Sequence, residues 1–114
     1  MRRERWRYLL VRIADGKNFS EGEFMSSLVE VVKDVFGLVG LSQISPRIVK
    51  YDESSREVIL KCRTESVDKL RSAIALLTQI GGQAAAAFVI RSSGTIRALT
   101  RVPKHQGRTD QAAS

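Results

Sequence analysis

The strongest local constraint on the fold is a helix start at residues 19–24, which read Phe-Ser-Glu-Gly-Glu-Phe. Ser20 and Glu23 have the spacing of a capping box, and Phe19 and Phe24 occupy the positions of a hydrophobic staple around it. Apolar residues then recur at helical spacing; they are Phe24, Leu28, Val32 and Val35. Gly37 is predicted to end this helix. A helix with one apolar stripe must bury that stripe against a second layer of secondary structure, and the segments on either side of the helix are predicted to form this layer.

Segments rich in β-branched and aromatic residues surround this helix and predict four strands. The predicted strands are residues 6–13, 44–51, 57–63 and 84–90. Pro46 cannot donate to a central ladder, so it indicates an edge strand or a strand start. The second and third strands are joined by a predicted hairpin turn at residues 52–56.

Two further helices complete the predicted order of elements. Thr64 is predicted to cap the first of them, whose apolar stripe reaches Ile80, and Thr95 is predicted to cap a short one near the C-terminus. The order is that of an α+β, ferredoxin-like or RRM-like βαββαβ sandwich with a four-stranded antiparallel sheet and a short C-terminal helix. The predicted division is a basic arm (1–5), one α/β sandwich domain (6–101) and a disordered tail (102–114).

Positive charge is concentrated at the two ends of the chain. The formal net charge is +7, yet residues 13–87 contain nine basic and ten acidic side chains. Residues 1–12 and residues 88–114 each contain five basic residues and one acidic residue. This excess predicts a polyanionic partner, with nucleic acid ahead of an acidic membrane surface.

The sequence shows no catalytic constellation. His105 lies in the predicted tail, so no His-based nucleophile pair or metal cluster is available to the core, and no phosphate-binding glycine loop is present. We therefore expect no cofactor bound by this chain. Cys62 cannot form an internal disulfide alone, and no apolar run is long enough to cross a membrane, which together favour a cytoplasmic protein.

The segment Ser92-Ser93-Gly94-Thr95 interrupts an apolar strand and precedes two arginines four residues apart. Hydroxyls, a glycine, free N–H groups and guanidinium groups suit a phosphate oxygen. In the predicted topology the first and fourth strands are antiparallel neighbours, so this segment should lie beside the basic arm. The predicted RNA-binding residues are Arg3, Arg5, Arg7, Arg91, Ser92, Ser93, Gly94, Thr95, Arg97 and Arg101.

Contact with the RNA backbone fits this sequence better than base stacking on the sheet. The third predicted strand has no aromatic residue, and Trp6 and Tyr8 on the first are the only candidates for stacking. Backbone contacts recognise the shape of a structured RNA rather than its sequence.

An apolar, glycine-bearing segment at residues 36–41 is predicted to be a loop. Apolar side chains in a loop indicate either packing under the core or a protein contact. The residues concerned are Phe36, Gly37, Leu38, Val39, Gly40 and Leu41.

Four segments resemble the archaeal ribonuclease P protein component 2 family, which is related to a small subunit of the eukaryotic ribonuclease P and MRP particles. They are Arg5–Val11, Phe36-Gly37 with Gly40, Ile59–Arg63 and, most specifically, Ser93-Gly94-Thr95-Ile96-Arg97. The resemblance covers roughly residues 5–100.

The resemblance implies a protein subunit of ribonuclease P, which removes 5′ leaders from precursor tRNA by RNA catalysis, with Mg²⁺ at the RNA active site. It implies that the subunit braces the catalytic domain of ribonuclease P RNA and meets precursor tRNA only indirectly. It also implies protein component 3 as a partner and self-association in a two-plus-two assembly. RNA contact is carried over to Ser93, Gly94, Thr95 and Arg97.

Three other functions remain open at this point. The first is a free-standing RNA-binding or ribosome-associated protein of the same fold, and the second is a ferredoxin-like regulatory module that binds a small molecule at a dimer interface. The third is an acylphosphatase-type enzyme, but Ala14-Asp15-Gly16-Lys17 does not supply the glycine-rich phosphate loop that such an enzyme needs.

Overall fold

Four strands form one antiparallel sheet in the computed structural model of the protein, which describes residues 5–14 and 18–101. The strands of this sheet are β1 (Trp6–Ala14), β2 (Arg47–Asp52), β3 (Glu57–Arg63) and β6 (Ala86–Ser93); β4 (Gln79–Ile80) and β5 (Gln83–Ala84) form a separate pair. The order across the four-stranded sheet is β2-β3-β1-β6. The helices are α1 (Glu21–Ile44), α2 (Val67–Ala75) and α3 (Ile96–Arg101). The predicted fold class is confirmed, as is the edge position of the strand that follows Pro46.

One face of the sheet, called here the helix face, forms the main core. Leu9 and Val11 of β1 and Leu60 of β3 are fully buried there against Phe24 of α1 and Leu70 of α2. The predicted capping box is present, since Ser20 Oγ accepts from the Glu23 N–H and the Glu23 carboxylate accepts from the Ser20 N–H. The Tyr51 hydroxyl donates to the Phe19 carbonyl, which fastens this helix start to β2.

The opposite face, called here the outer face, has a second and smaller core under α3. Leu99 of α3 is fully buried against Leu10 of β1 and Ile59 of β3, with Tyr8 and Ile96 at its margin. Both faces of β1 are therefore covered along part of its length, which explains why its sequence is apolar on both parities.

Helix α1 consists of two helical segments that meet at Gly37. Gly37 has φ 77° and ψ −179°, which is not helical, so the first segment ends there as predicted. The sequence did not predict the second segment, which continues to Ile44. Residues 36–41 are consequently part of a kinked helix and not a loop, and Ile44 ends α1 instead of starting a strand. Val35, predicted in the buried stripe, is 46% exposed.

The connection between α2 and β6 also differs from the prediction. A single 3-10 turn (Thr64–Ser66) precedes α2, and no side chain caps it, so the predicted Thr64 cap is wrong. Helix α2 ends at Ala75, and Leu77 and Ile80 reach the core from an extended segment.

Two short strands, β4 (Gln79–Ile80) and β5 (Gln83–Ala84), form a small hairpin in this connection. Its turn is Gly81-Gly82, with φ of 58° and 83°. This is the left-handed backbone that two-residue hairpin turns require and that glycine adopts freely. The predicted arm before Arg5 and the predicted tail after Arg101 lie outside the described residues.

Candidate RNA interface

The segment Ser93–Thr95 lies at one end of the sheet, where β6 turns into α3. The Thr95 N–H donates to Ser93 Oγ (3.1 Å), and Thr95 Oγ1 accepts from the Ala98 N–H (3.3 Å). The predicted Thr95 cap is therefore confirmed. Both hydroxyl oxygens act as acceptors in these bonds, so their O–H hydrogens can still be donated to a ligand oxygen.

The start of β1 lies directly beside this segment, as the topology predicted. Tyr8 pairs with Ser93 in the antiparallel register of β1 and β6. A methyl group built on Gly94 would lie 3.8 Å from Nη1 of Arg7. Gly94 is exposed, and its φ lies outside the left-handed region, so the backbone here does not require glycine. The described parts of the two basic ends of the chain thus converge at this corner of the sheet.

Arginines flank the corner on both faces. Arg7 pairs with Cys62, so it belongs to the helix face, where Arg71 of α2 donates from Nη2 to Ser92 Oγ (3.2 Å). Arg91 pairs with Leu10 and so belongs to the outer face. Arg7, Arg71 and Arg91 form no ion pair with a carboxylate of residues 5–14 and 18–101. Their charge is available to an external anion.

The remaining predicted residues are placed as follows. Arg5 is exposed immediately before β1, and its carbonyl accepts from the Thr64 N–H (3.0 Å). Arg97 is exposed on α3, whereas Arg3 and the side chain of Arg101 lie outside the described part of the chain. Ser92 contacts Arg71 on the helix face, which separates it from the outer-face hydroxyl of Ser93.

Sequence reasoning missed Arg71 and also two cations of β3. Lys61 Nζ lies 4.5 Å from the centre of the Trp6 ring, and the Arg63 guanidinium carbon lies 5.6 Å from it. Contacts of this kind are cation–π interactions. The alternation of β3 placed Lys61 and Arg63 on one face, but only the register with β1 places them around Trp6.

Cys62, which pairs with Arg7 in the sheet, is a buried free thiol. Burial raises the pKa of this thiol to about 11, so it is protonated at neutral pH. No group of three metal-ligating side chains occurs within residues 5–14 and 18–101. No helix among these residues is long and apolar enough to cross a membrane.

The predicted protein-contact segment divides into a buried part and an exposed part. Gly40 is buried, and Phe36 and Leu41 pack against the main core. Leu38 and Val39 are each 71% exposed. Immediately after the kink at Gly37, two neighbouring apolar side chains are thus exposed on the surface.

Fold and charge together define a class: a small basic α+β protein of ferredoxin-like topology that presents a cationic sheet corner. Comparison with known proteins identifies the family within this class. The sequence profile of the Rpp14/Pop5 family matches residues 7–102. The chain belongs to the Rpp14/Pop5 family.

Individual relatives agree with that assignment. Ribonuclease P protein component 2 of Aeropyrum pernix is 30% identical over 108 residues, covering 93% of this chain and 88% of the relative. The protein of the same name from Pyrococcus abyssi is 30% identical over 99 residues, covering 87% and 84%. A chain in the cryo-EM structure of yeast ribonuclease MRP shares the fold, with a TM-score of 0.69, 13% identity and coverage of 91% and 92%.

Proposed function

We propose that this chain is a protein subunit of ribonuclease P that binds the RNA subunit and braces its catalytic domain for removal of 5′ leaders from precursor tRNA. The observation that carries the proposal is the corner where Arg7 lies beside Gly94, which is where the described parts of the two basic ends of the chain meet. Family membership supports the choice of RNA, because the relatives are named as ribonuclease P components.

The chemistry of the corner suits RNA backbone contact. Arg7, Arg71 and Arg91 supply charge from both faces of the sheet, and the hydroxyls of Ser93 and Thr95 supply O–H donors. Such groups position a phosphate and read no base sequence. Gly94 is exposed at this corner and has no side chain, so an RNA backbone can approach the polypeptide closely there. Cleavage is assigned to the RNA, with Mg²⁺ bound at its active site and not by this chain.

The proposal includes protein partners and a location. Protein component 3 is the expected partner, and two copies of each are expected to assemble as two plus two. The exposed pair Leu38 and Val39 supports a self-contact, because neighbouring apolar side chains of this exposure favour association. The buried free thiol of Cys62 accords with the reducing cytoplasm.

The test measures RNA affinity against salt concentration for Arg97→Ala. Arg97 is exposed on α3, and its side chain is a member of neither core, so the domain should remain folded. Loss of one phosphate contact lowers the slope of log K against log salt by about 0.7–0.9, which corresponds to a roughly five- to eightfold weaker Kd at 0.1 M salt. Lys33→Ala, at an exposed position of α1 away from the corner, is the matched control and should change neither quantity. An unchanged slope and footprint for Arg97→Ala would remove this segment from the RNA interface.

A further inference from the structure

A row of polar residues crosses the entire sheet on its outer face. Arg47 of β2 pairs with Lys61 of β3, Lys61 pairs with Tyr8 of β1, and Tyr8 pairs with Ser93 of β6. Residues that pair directly in an antiparallel sheet have their side chains on the same face, and neighbouring strands are about 4.8 Å apart. The row is therefore about 14 Å long, and one end of it is Ser93 of the candidate RNA interface.

The row is bordered on one side by α3, and no helix or strand of residues 5–14 and 18–101 covers its other side. Leu99 covers the adjacent pair Leu10 and Ile59, which are the next outer-face residues along β1 and β3. On the other side the next pair is Trp6 with Arg63. Helix α3 thus covers the pair Leu10 and Ile59, and the pairs beyond it on the outer face are Tyr8 with Lys61 and Trp6 with Arg63.

Lys61 is held in place by its neighbour. Its ammonium lies 4.5 Å from the centre of the Trp6 ring, and the residue is half-buried, so less side-chain freedom is lost when an anion binds. Arg47 is exposed at the far end of the row. Neither Arg47 nor Lys61 forms an ion pair with a carboxylate of the described residues.

The acidic groups of this face are at the other end of the sheet. Glu57 is four residues from Lys61 along β3, about 13 Å away at strand spacing, and its carboxylate pairs with Arg12 at 2.7 Å. An anion at the row therefore meets the positive charges of Arg47 and Lys61, and neither cation is paired with a carboxylate of the described residues.

We propose that this row, Arg47–Lys61–Tyr8–Ser93, binds the sugar–phosphate backbone of an RNA strand that crosses the sheet from β6 to β2. The inference rests on the proposed function for the identity of the RNA, and it extends the interface from one corner to the opposite edge. Backbone contact is favoured over base stacking because Lys61 lies against the Trp6 ring and Tyr8 packs beside Leu99. The row supplies two cations and two hydroxyl groups, which match phosphate oxygens and ribose hydroxyls.

The experiment compares the full chain with Arg47→Gln/Lys61→Gln in binding to ribonuclease P RNA at several salt concentrations. Loss of two phosphate contacts lowers the salt slope by about 1.4–1.8, and weakens the Kd by about 25- to 60-fold at 0.1 M salt. Arg47→Gln alone changes only an exposed edge-strand side chain, so it tests the row even if the double variant fails to fold; it should give about half that slope change. Lys33→Gln is the control and should leave the slope unchanged.

The outcomes separate this inference from the proposed function. If Arg97→Ala weakens RNA binding and the row variants do not, the row is not an RNA site, although the proposed function stands. If the row variants release a protein partner while RNA affinity and slope are unchanged, the surface is a protein interface, and the inference is wrong. If neither Arg97 nor the row affects RNA binding, the proposed function fails as well.

Discussion

Replacing Leu99 by alanine tests how the fold holds the candidate RNA interface in place. Leu99 is 0% exposed and forms the centre of the outer-face core with Leu10 and Ile59. A Leu→Ala change in a rigid core costs about 2–5 kcal/mol. Here we expect about 2 kcal/mol, at the low end, because α3 has six residues, is too short to be stable alone, and can leave the sheet when its anchor is removed. The main core on the helix face does not include Leu99 and should stay intact.

The assay is amide hydrogen exchange, with RNA affinity measured on the same variant. A loss of about 2 kcal/mol lowers protection of the α3 amides, including Ala98, by roughly 30-fold. Amides of β3 should keep their protection, because undocking of α3 is local. RNA affinity should fall as well, since Thr95 and Arg97 are held by the same helix. Leu76→Ala is the matched control, because Leu76 is 54% exposed, and its effect should stay within about 0.5 kcal/mol.

Two results would refute this reasoning. Unchanged protection of the α3 amides in Leu99→Ala would show that the helix does not depend on its apolar anchor. An equal loss of protection in α3 and β3 would show that the outer-face core unfolds together with the rest of the domain, and that α3 does not leave the sheet separately.

Three other perturbations have defined expected outcomes. Gly40→Ala should destabilise the fold by about 1–3 kcal/mol in chemical denaturation, because the new Cβ would lie 2.4 Å from Cβ of Phe36. Gly22→Ala, whose new Cβ would lie 4.0 Å from Ser20 Oγ, is its control and should be neutral or stabilising; equal effects of the two changes would contradict the steric argument. The Cys62 pKa of about 11 exceeds the ordinary thiol value near 8.5, so stability from this group is complete below about pH 8.5 and falls as the pH rises toward 11. Denaturation of wild type and Cys62→Ala across that range checks this, and parallel curves for the two proteins would count against it. Leu38→Asp should abolish self-association in sedimentation while leaving the melting temperature within a few degrees, and a variant that unfolds instead would show that Leu38 is part of the core.

The order of elements was predictable because each one has a strong local signal. The capping box at Ser20 fixes the start of α1, and Pro46 keeps β2 at an edge. The errors arise where an apolar segment has two possible meanings. The apolar residues after Gly37 were predicted to form a loop, but they form the second helical segment of α1. Ile80 has helical spacing from α2, yet the Gly81-Gly82 turn places it in a hairpin.

The corner of the candidate site was predictable from topology alone, because antiparallel neighbours bring the start of one strand to the end of the other. The row Arg47–Lys61–Tyr8–Ser93 could not be predicted in this way. Arg47 and Lys61 meet only through the register of β2 and β3, which includes an irregularity between Ile48 and Lys50. A shift of one residue would turn Arg47 to the helix face. Sequence spacing does not fix such a register.

The most direct test of the central claim is to purify the tagged full-length chain from its native cells at low salt and sequence the RNA that accompanies it. The account predicts strong enrichment of ribonuclease P RNA, and its loss when the salt concentration is raised. Enrichment of ribosomal RNA, or the same RNA profile as an untagged control, would contradict it.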